Sequence, residues 1–286
     1  VNIDKDIIKF KGEKNMEKKK TAIILALVVI IAIFNGCSSN TKPNTSKKEV
    51  KTIYVGTQND YPPFCYNDDK GNLTGYDIDV IKEIDKRLDE YKFTFAPAAW
   101  DSIFLSLESN KTQIVADEIA KNPEREKKYL FSDQPYFTAE SVIIVKKGRN
   151  DIKSLEDLKG KSVAASVGDS YTQLLEKYNK ENGNKIILKY NDTGNSSDNL
   201  IDVQNGRVDA YVNDPVMTEA TIKKQNLQVQ VVAKPVQSDK IHLVFKKDKQ
   251  GQELKSKIDP IIKQLREDGT LAKLSKKWTG GEYIPK

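Results

Sequence analysis

The sequence predicts an α/β protein of two lobes, each built on a parallel sheet and joined by two extended crossover strands. Three observations carry this. From Thr52 onward, short β-rich runs alternate with segments of helical period. The alternation occurs twice in series. Two similar extended segments, Ser141–Lys146 (SVIIVK) and Ile241–Lys246 (IHLVFK), lie between and after the two units.

In the first unit, Ile53–Val55 reads as a strand. Asp77–Leu88 (DIDVIKEIDKRL) sets Ile78, Ile81, Ile84 and Leu88 on one helical face. Phe93–Phe95 is a strand, Ile103, Phe104 and Leu107 fit a helix face, and Gln113–Ala116 is a strand. In the second unit, strands are predicted at Val163–Val167, Ile186–Leu188, Val208–Val212 and Val229–Val232. Helices are predicted between them at Tyr171–Tyr178, Leu200–Gln204 and Val216–Lys224. Such βαβ series imply parallel pairing, because the connection must cross back over the sheet. Two further helices, Glu253–Glu267 and Leu271–Trp278, flank a break at Gly269 and are read as returning to the first lobe. The domain reading is 1–36 upstream residues and signal peptide, 37–51 tether, 52–142 plus 241–286 lobe 1, and 143–240 lobe 2.

Composition excludes several classes. Of 286 residues, 31% are charged and 38% hydrophobic, a globular profile with material for two cores. The net charge of +6 falls to +3 once residues 1–36 are set aside, leaving 40 basic against 37 acidic residues. Acids are interspersed throughout, so there is no electrostatic footprint for nucleic acid. With one histidine (His242) and two cysteines (Cys37 and Cys65), zinc clusters and a His-based triad are not expected. No cofactor is expected.

Residues 16–37 read MEKKKTAIILALVVIIAIFNGC. Three lysines precede an apolar run of 13 residues, Ala22–Phe34, short for a bilayer span and matching a signal-peptide core. The polar stretch before Met16 points to Met16 as the true start. A signal-anchor helix is the alternative and leaves the folded part on the same side of the membrane. After Cys37, SSNTKPNTSKKEVK is polar and reads as a flexible tether.

The ordered landmarks from about Thr52 to Trp278 resemble the solute-binding proteins of polar amino-acid ABC importers, with a periplasmic-binding-protein-like fold. They include Tyr61-Pro62-Pro63-Phe64, Leu73-Thr74-Gly75-Tyr76-Asp77, Trp100-Asp101, Asn122-Pro123-Glu124-Arg125, Ser154-Leu155-Glu156-Asp157-Leu158, Gly206-Arg207-Val208-Asp209-Ala210 and Glu267-Asp268-Gly269-Thr270-Leu271. Asn35-Gly36-Cys37 resembles a lipobox, although Phe34 and Asn35 depart from its usual pattern; it makes Cys37 the lipidated residue. The resemblance implies an extracytoplasmic, membrane-anchored monomer that holds an amino acid between its lobes and passes it to an ABC importer permease. It implies no catalytic residue.

The resemblance also implies a site. Arg125 matches the arginine that grips the ligand carboxylate, a role suited to a planar guanidinium fork; surface pairing with Glu124 or Asp133 is the alternative. Asp214 matches the acid that binds the ligand ammonium, with N-capping of the helix from Pro215 as the competing role. Ser170 matches a donor at a helix N-terminus. Tyr61 and Trp100 match two aromatic walls. Gln58 stands where lysine- and arginine-binding members tend to have an acid. Ala120 stands where a hydroxyl often assists the arginine, leaving its backbone N–H to donate. Glu118 is a candidate for a second ligand ammonium, with exposure to water as the bland alternative for it and for Asp117. The stretch from Ala120 to Glu126 looks most like cystine-binding members, making cystine the first choice. A dehydratase-like enzyme on this fold, using Asp117 or Glu118, and a sensory domain are the other readings. Cys65 reads as an incidental thiol.

Overall fold

The structure, a computed structural model, describes residues 50–191 and 193–285. The predicted signal segment, the Met16 start and Cys37 lie outside the described residues. In chain order the elements are β1 (Lys51–Thr57), β2 (Asp60–Tyr61), β3 (Cys65–Asn67), β4 (Leu73–Thr74), α1 (Tyr76–Asp85), β5 (Tyr91–Pro97), α2 (Trp100–Glu108), β6 (Ile114–Val115), α3 (Pro123–Lys128) and β7 (Tyr129–Phe131). They continue with β8 (Phe137–Lys146), β9 (Ser162–Ser166), α4 (Ser170–Asn182), β10 (Ile187–Asn191), α5 (Ser196–Asn205), β11 (Ala210–Asn213), α6 (Pro215–Gln225), β12 (Val229–Ile241), β13 (Val244–Lys246), α7 (Lys249–Glu267) and α8 (Thr270–Thr279).

Two five-stranded sheets organise two lobes, in the orders β5-β1-β6-β13-β7 and β10-β9-β11-β8-β12. The sheets are mixed, where the sequence predicted parallel ones. In the first, β1 pairs parallel with β5 and β6, while β13 is antiparallel to β6 and β7. In the second, β9 pairs parallel with β10 and β11, while β8 is antiparallel to β11 and β12. The parallel members are the βαβ series; the antiparallel pairings fall on β8, β12 and β13, the strands that carry the chain between lobes or back into the first.

The crossover assignment needs correction. Ile241–Lys246 is not one strand. The second crossover is β12, which absorbs the predicted Val229–Val232 strand and runs on to Ile241, pairing antiparallel with β8 from Val229↔Lys146 to Ile241↔Phe137. The register shifts between Val232 and Gln237, around Pro235, which has no N–H to give a ladder. The chain then bends at His242-Leu243 and enters the first sheet as β13. Asp77–Leu88 is also shorter as a helix than predicted: α1 ends at Asp85, and Leu88, in the following turn, is nevertheless buried.

The returning helices pack on the first sheet. Leu254, Ile258, Ile261, Ile262 and Leu265 form the buried stripe of α7. Each such side chain contributes about 1.5–3 kcal/mol of burial. They join Ile53, Val55, Ile78, Ile81 and Ile84 in one core, so the first lobe is made from both ends of the described chain. Gly75 fastens the β2–β3 segment to this core. Its φ is +133°, and a Cβ there would stand 2.1 Å from the Phe64 carbonyl oxygen. Only glycine allows that approach, which lets Tyr76 and Asp77 donate N–H bonds to the Pro63 and Phe64 carbonyls.

Candidate functional site

A narrow cavity is lined from both lobes. Its lining follows the carboxyl ends of the parallel strands. Gln58 and Tyr61 come after β1, Trp100 after β5, and Asp117 and Glu118 after β6. Asp169, Ser170 and Tyr171 follow Ser166 at the end of β9; Gly194 and Ser196 follow β10; Asn213 ends β11. Open α/β sheets form ligand crevices at these ends, because the loops there are free of the ladder and the helix N-termini point inward.

Arg125 is the cation of the cavity. It sits in α3, whose N-cap Asn122 accepts from the Arg125 N–H at 2.7 Å, and it is 6% exposed. Its guanidinium donates to the Ala120 carbonyl (2.9 Å) and to the Gly168 carbonyl of the other lobe (2.7 Å). It lies 5.5 Å from the Trp100 ring and 5.2 Å from Phe104. Among the described residues no carboxylate is within ion-pair distance of it. Burial pulls the guanidinium below its ordinary value, and the charges of Asp169 and Asp117 partly offset that. A guanidinium held against aromatic faces, with donors left over, is a receptor for an anion.

The acids face it. Glu118 is buried, with its backbone in the left-handed region (φ 49°), anchored by its N–H to Asp77 Oδ2 at 2.7 Å. Burial pushes its carboxyl well up, and Asp214 adds repulsion. The Tyr61 hydroxyl lies 2.7 Å from Glu118 Oε2 and 2.9 Å from Asn213 Oδ1. One hydroxyl proton cannot serve both acceptors. A protonated Glu118 resolves this by donating to Tyr61, which donates to Asn213 across the lobes. Asp117 accepts from the Gln58 N–H (3.0 Å) and the Cys65 thiol (2.6 Å), while its Oδ2 has no partner among the described residues. Burial raises Asp117 to about 7. Asp169 caps α4 by accepting from the Tyr171 N–H, and desolvation raises it to about 6. Burial and the neighbouring Asp117 push the Cys65 thiol well up, leaving it protonated.

Of the sequence-predicted residues, Gln58, Tyr61, Trp100, Glu118, Arg125 and Ser170 come together on this cavity. Ala120 and Asp214 do not line it. Ala120 bridges to Ile241 through its backbone and turns its carbonyl to Arg125. Asp214 is spent as the N-cap of α6: Oδ1 accepts from the Val216 and Met217 N–H groups at 2.7 and 3.1 Å, and Oδ2 from the Glu140 N–H at 3.4 Å. Asn213 holds the lining position, and Asp214 acts on the cavity through its charge. Tyr61 is a nearly buried wall, 6% exposed and stacked on Phe64. Asp117 and Glu118 are buried, not in water. Sequence reasoning missed Asn213, Tyr171, Gly194, Ser166 and Ser196, each of which stands at or just past a strand end.

Residues 53–281 match the bacterial extracellular solute-binding proteins, family 3. The chain belongs to that family. It is 35% identical over 267 residues to the L-cystine-binding protein TcyK of Bacillus subtilis (strain 168), across 93% of this chain and 98% of that one. A structure from work on glutathione import via GshT and the cystine ABC importer TcyBC of Streptococcus mutans superposes with a TM-score of 0.76 at 34% identity, over 83% of this chain and 98% of that one. An ancestral arginine-binding protein bound to arginine superposes at 0.71 with 36% identity, over 79% and 97%. Membership of this family makes the chain a solute-binding protein with a two-lobed fold, and not an enzyme.

Proposed function

We propose that this family-3 protein is an extracytoplasmic lipoprotein, anchored through Cys37 after removal of a signal peptide, that binds a polar amino acid and delivers it to an ABC importer permease. It works as a monomer; lobe 1 is 52–142 plus 241–286 and lobe 2 is 143–240, and the ligand sits between them. The observation that carries the binding reading is Arg125, a buried guanidinium with no carboxylate partner among the described residues, facing a set of buried acids. The ligand carboxylate takes Arg125 with help from the α4 N-terminus at Ser170. The ligand ammonium takes Glu118 and Asp169, with Asp214 reinforcing Glu118. Tyr61, Tyr171 and Trp100 wall the side chain.

Cystine is the first choice of ligand. The L-cystine-binding relative supports it, and Gln58 supplies a neutral amide where a cationic side chain would call for an acid. Gly194 supports closure on the ligand: it has φ +64°, and a Cβ there would meet Trp100 of the opposite lobe at 3.2 Å. A thermal-shift screen against all amino acids plus cystine tests the reading. Cystine is expected to give the largest rise in melting temperature; no rise with any amino acid refutes the binding function.

A further inference from the structure

Among the described residues, four that are not glycine have a backbone in the left-handed region: Asn110, Glu118, Asn184 and Asn226. The three asparagines follow the ends of α2, α4 and α6, and asparagine tolerates that conformation because its short side chain bonds locally. Glu118 is the exception. It follows β6, is buried, and lines the cavity. A backbone of this kind persists only where the surroundings hold it.

The holding group is a side chain 41 residues away. The Glu118 N–H donates to Asp77 Oδ2 at 2.7 Å. Asp77 lies in the first turn of α1 and is 1% exposed. Its own N–H donates to the Phe64 carbonyl at 3.0 Å, across the close approach that Gly75 permits. Other groups pin the residues on either side of Glu118: the Gln58 N–H and the Cys65 thiol hold Asp117, and the His242 N–H holds the Ile119 carbonyl at 3.0 Å. With its backbone fixed, Glu118 turns its carboxyl into the cavity. There Oε2 lies 2.7 Å from the Tyr61 hydroxyl, and Oε1 lies 3.5 Å from the Tyr171 hydroxyl of the other lobe.

We propose that Asp77 is a positioning residue for ligand binding: it holds the left-handed turn at Glu118 and so aims that carboxyl at the ligand ammonium. This rests on the reading that Glu118 takes the ammonium. Asp77 itself does not line the cavity. An ordinary negative φ at Glu118 would rotate its Cα–Cβ bond and carry the carboxyl away from both tyrosines. Burial raises Asp77 to about 8, so it is neutral near neutral pH. Its part is then to accept one N–H bond, which an amide oxygen does equally well.

The test is a double-mutant cycle read by calorimetry, with L-cystine as the probe. Asp77→Leu removes the acceptor at similar volume. Asp77→Ser, too short to reach the Glu118 N–H, is made beside it in case the leucine variant does not fold. Each is expected to weaken binding by about tenfold, while Asp77→Asn, which keeps the acceptor, stays within about twofold of the unaltered protein. In a Glu118→Ala background the same Asp77 variants should cost nothing further, because the carboxyl they misplace is gone. An equal loss in both backgrounds overturns the proposal and leaves the Glu118 reading intact, since Asp77 would then act on the fold as a whole. Unchanged binding in a folded Asp77→Leu or Asp77→Ser protein overturns it as well, as does a loss in Asp77→Asn equal to theirs. If Glu118→Ala alone leaves binding unchanged, the ammonium reading fails and the positioning role falls with it.

Discussion

Replacing Arg125 by alanine separates binding from folding. The guanidinium is 6% exposed and makes two bonds to carbonyl groups, Ala120 and Gly168, with no carboxylate paired to it among the described residues. In the ligand-free protein it is a desolvated charge with modest compensation. Its removal is therefore expected to change stability by only about 1 kcal/mol, or roughly 2–4 °C in Tm for a protein of this size. With ligand bound the balance reverses. The ligand carboxylate would then be left in the cavity without its cation, and truncating one partner of a buried charge pair costs about 2–5 kcal/mol. A mid-range loss of about 3 kcal/mol corresponds to roughly 150-fold weaker binding. Arg125→Lys keeps the charge but loses the planar fork, and is expected to fall between. Calorimetry with cystine, paired with calorimetric unfolding of the ligand-free variants, reads both quantities. Near-normal affinity in a folded Arg125→Ala protein would refute the carboxylate assignment. A large fall in ligand-free Tm with affinity retained would make Arg125 a structural residue.

Three other outcomes are expected. Asp77 is raised to about 8 by burial, against roughly 3.9 when unfolded. The stability linked to its protonated form is full below about pH 4 and is lost as pH rises toward 8, at about 1.4 kcal/mol per pH unit. Asp77→Asn should remove that slope, so denaturant titrations should show the variant gaining on the unaltered protein as pH rises; His242, lowered to about 4, tilts both curves the other way below about pH 6.5 and cancels in the difference. Asp169 and Glu118, the acids given to the ammonium, line the cavity, the first raised to about 6 and the second pushed well up by burial. An arriving ammonium favours their ionised forms, so binding should release protons and tighten as pH rises from about 6 to about 8, read by calorimetry in buffers of different ionisation enthalpy; pH-independent affinity would sink this. Gly194→Ala places a Cβ 3.2 Å from Trp100 Cδ1 with the backbone at φ +64°; the backbone strain should lower stability by about 1–2 kcal/mol with or without ligand, and the Trp100 contact should weaken ligand binding; unchanged affinity would show that the lobes close without this contact.

The fold was legible wherever apolar periodicity and local structure agree. The Ile78, Ile81 and Ile84 face of α1 and the Leu254-to-Leu265 stripe of α7 were readable because each buries one side of one helix. The reading ran past the end of α1 because Leu88 is buried from the turn beyond it and so continues the helical period without being helical. The β12 crossover was hidden for the opposite reason. Its second half, Pro235-Val236-Gln237-Ser238-Asp239-Lys240, has the polar and proline content of a loop, and only its ladder with β8 makes it a strand. Long-range pairing of this kind leaves little local trace in composition.

The site divides along the same line. Arg125, Tyr61, Trp100 and Ser170 were found because motif resemblance fixes a residue without needing its neighbours. Asn213, Gly194 and Tyr171 become visible only once the strand order is known, since what they share is a place at the carboxyl end of a strand and not a chemistry. Asp214 shows why the distinction matters. As the residue after β11 and before Pro215 it had two competing roles, and both its oxygens are taken by backbone: two N–H groups of α6 on one, the Glu140 N–H of β8 on the other. A carboxylate so occupied stays within electrostatic reach of Glu118 while Asn213 faces the cavity. The second lobe then meets the ligand with an amide, and the acids that face Arg125 across the cavity come from the loop after β6 in the first lobe and from the α4 cap in the second. On the proposed function both lobes complete the charge pattern, and tight binding of a zwitterion would then be coupled to closure of the lobes.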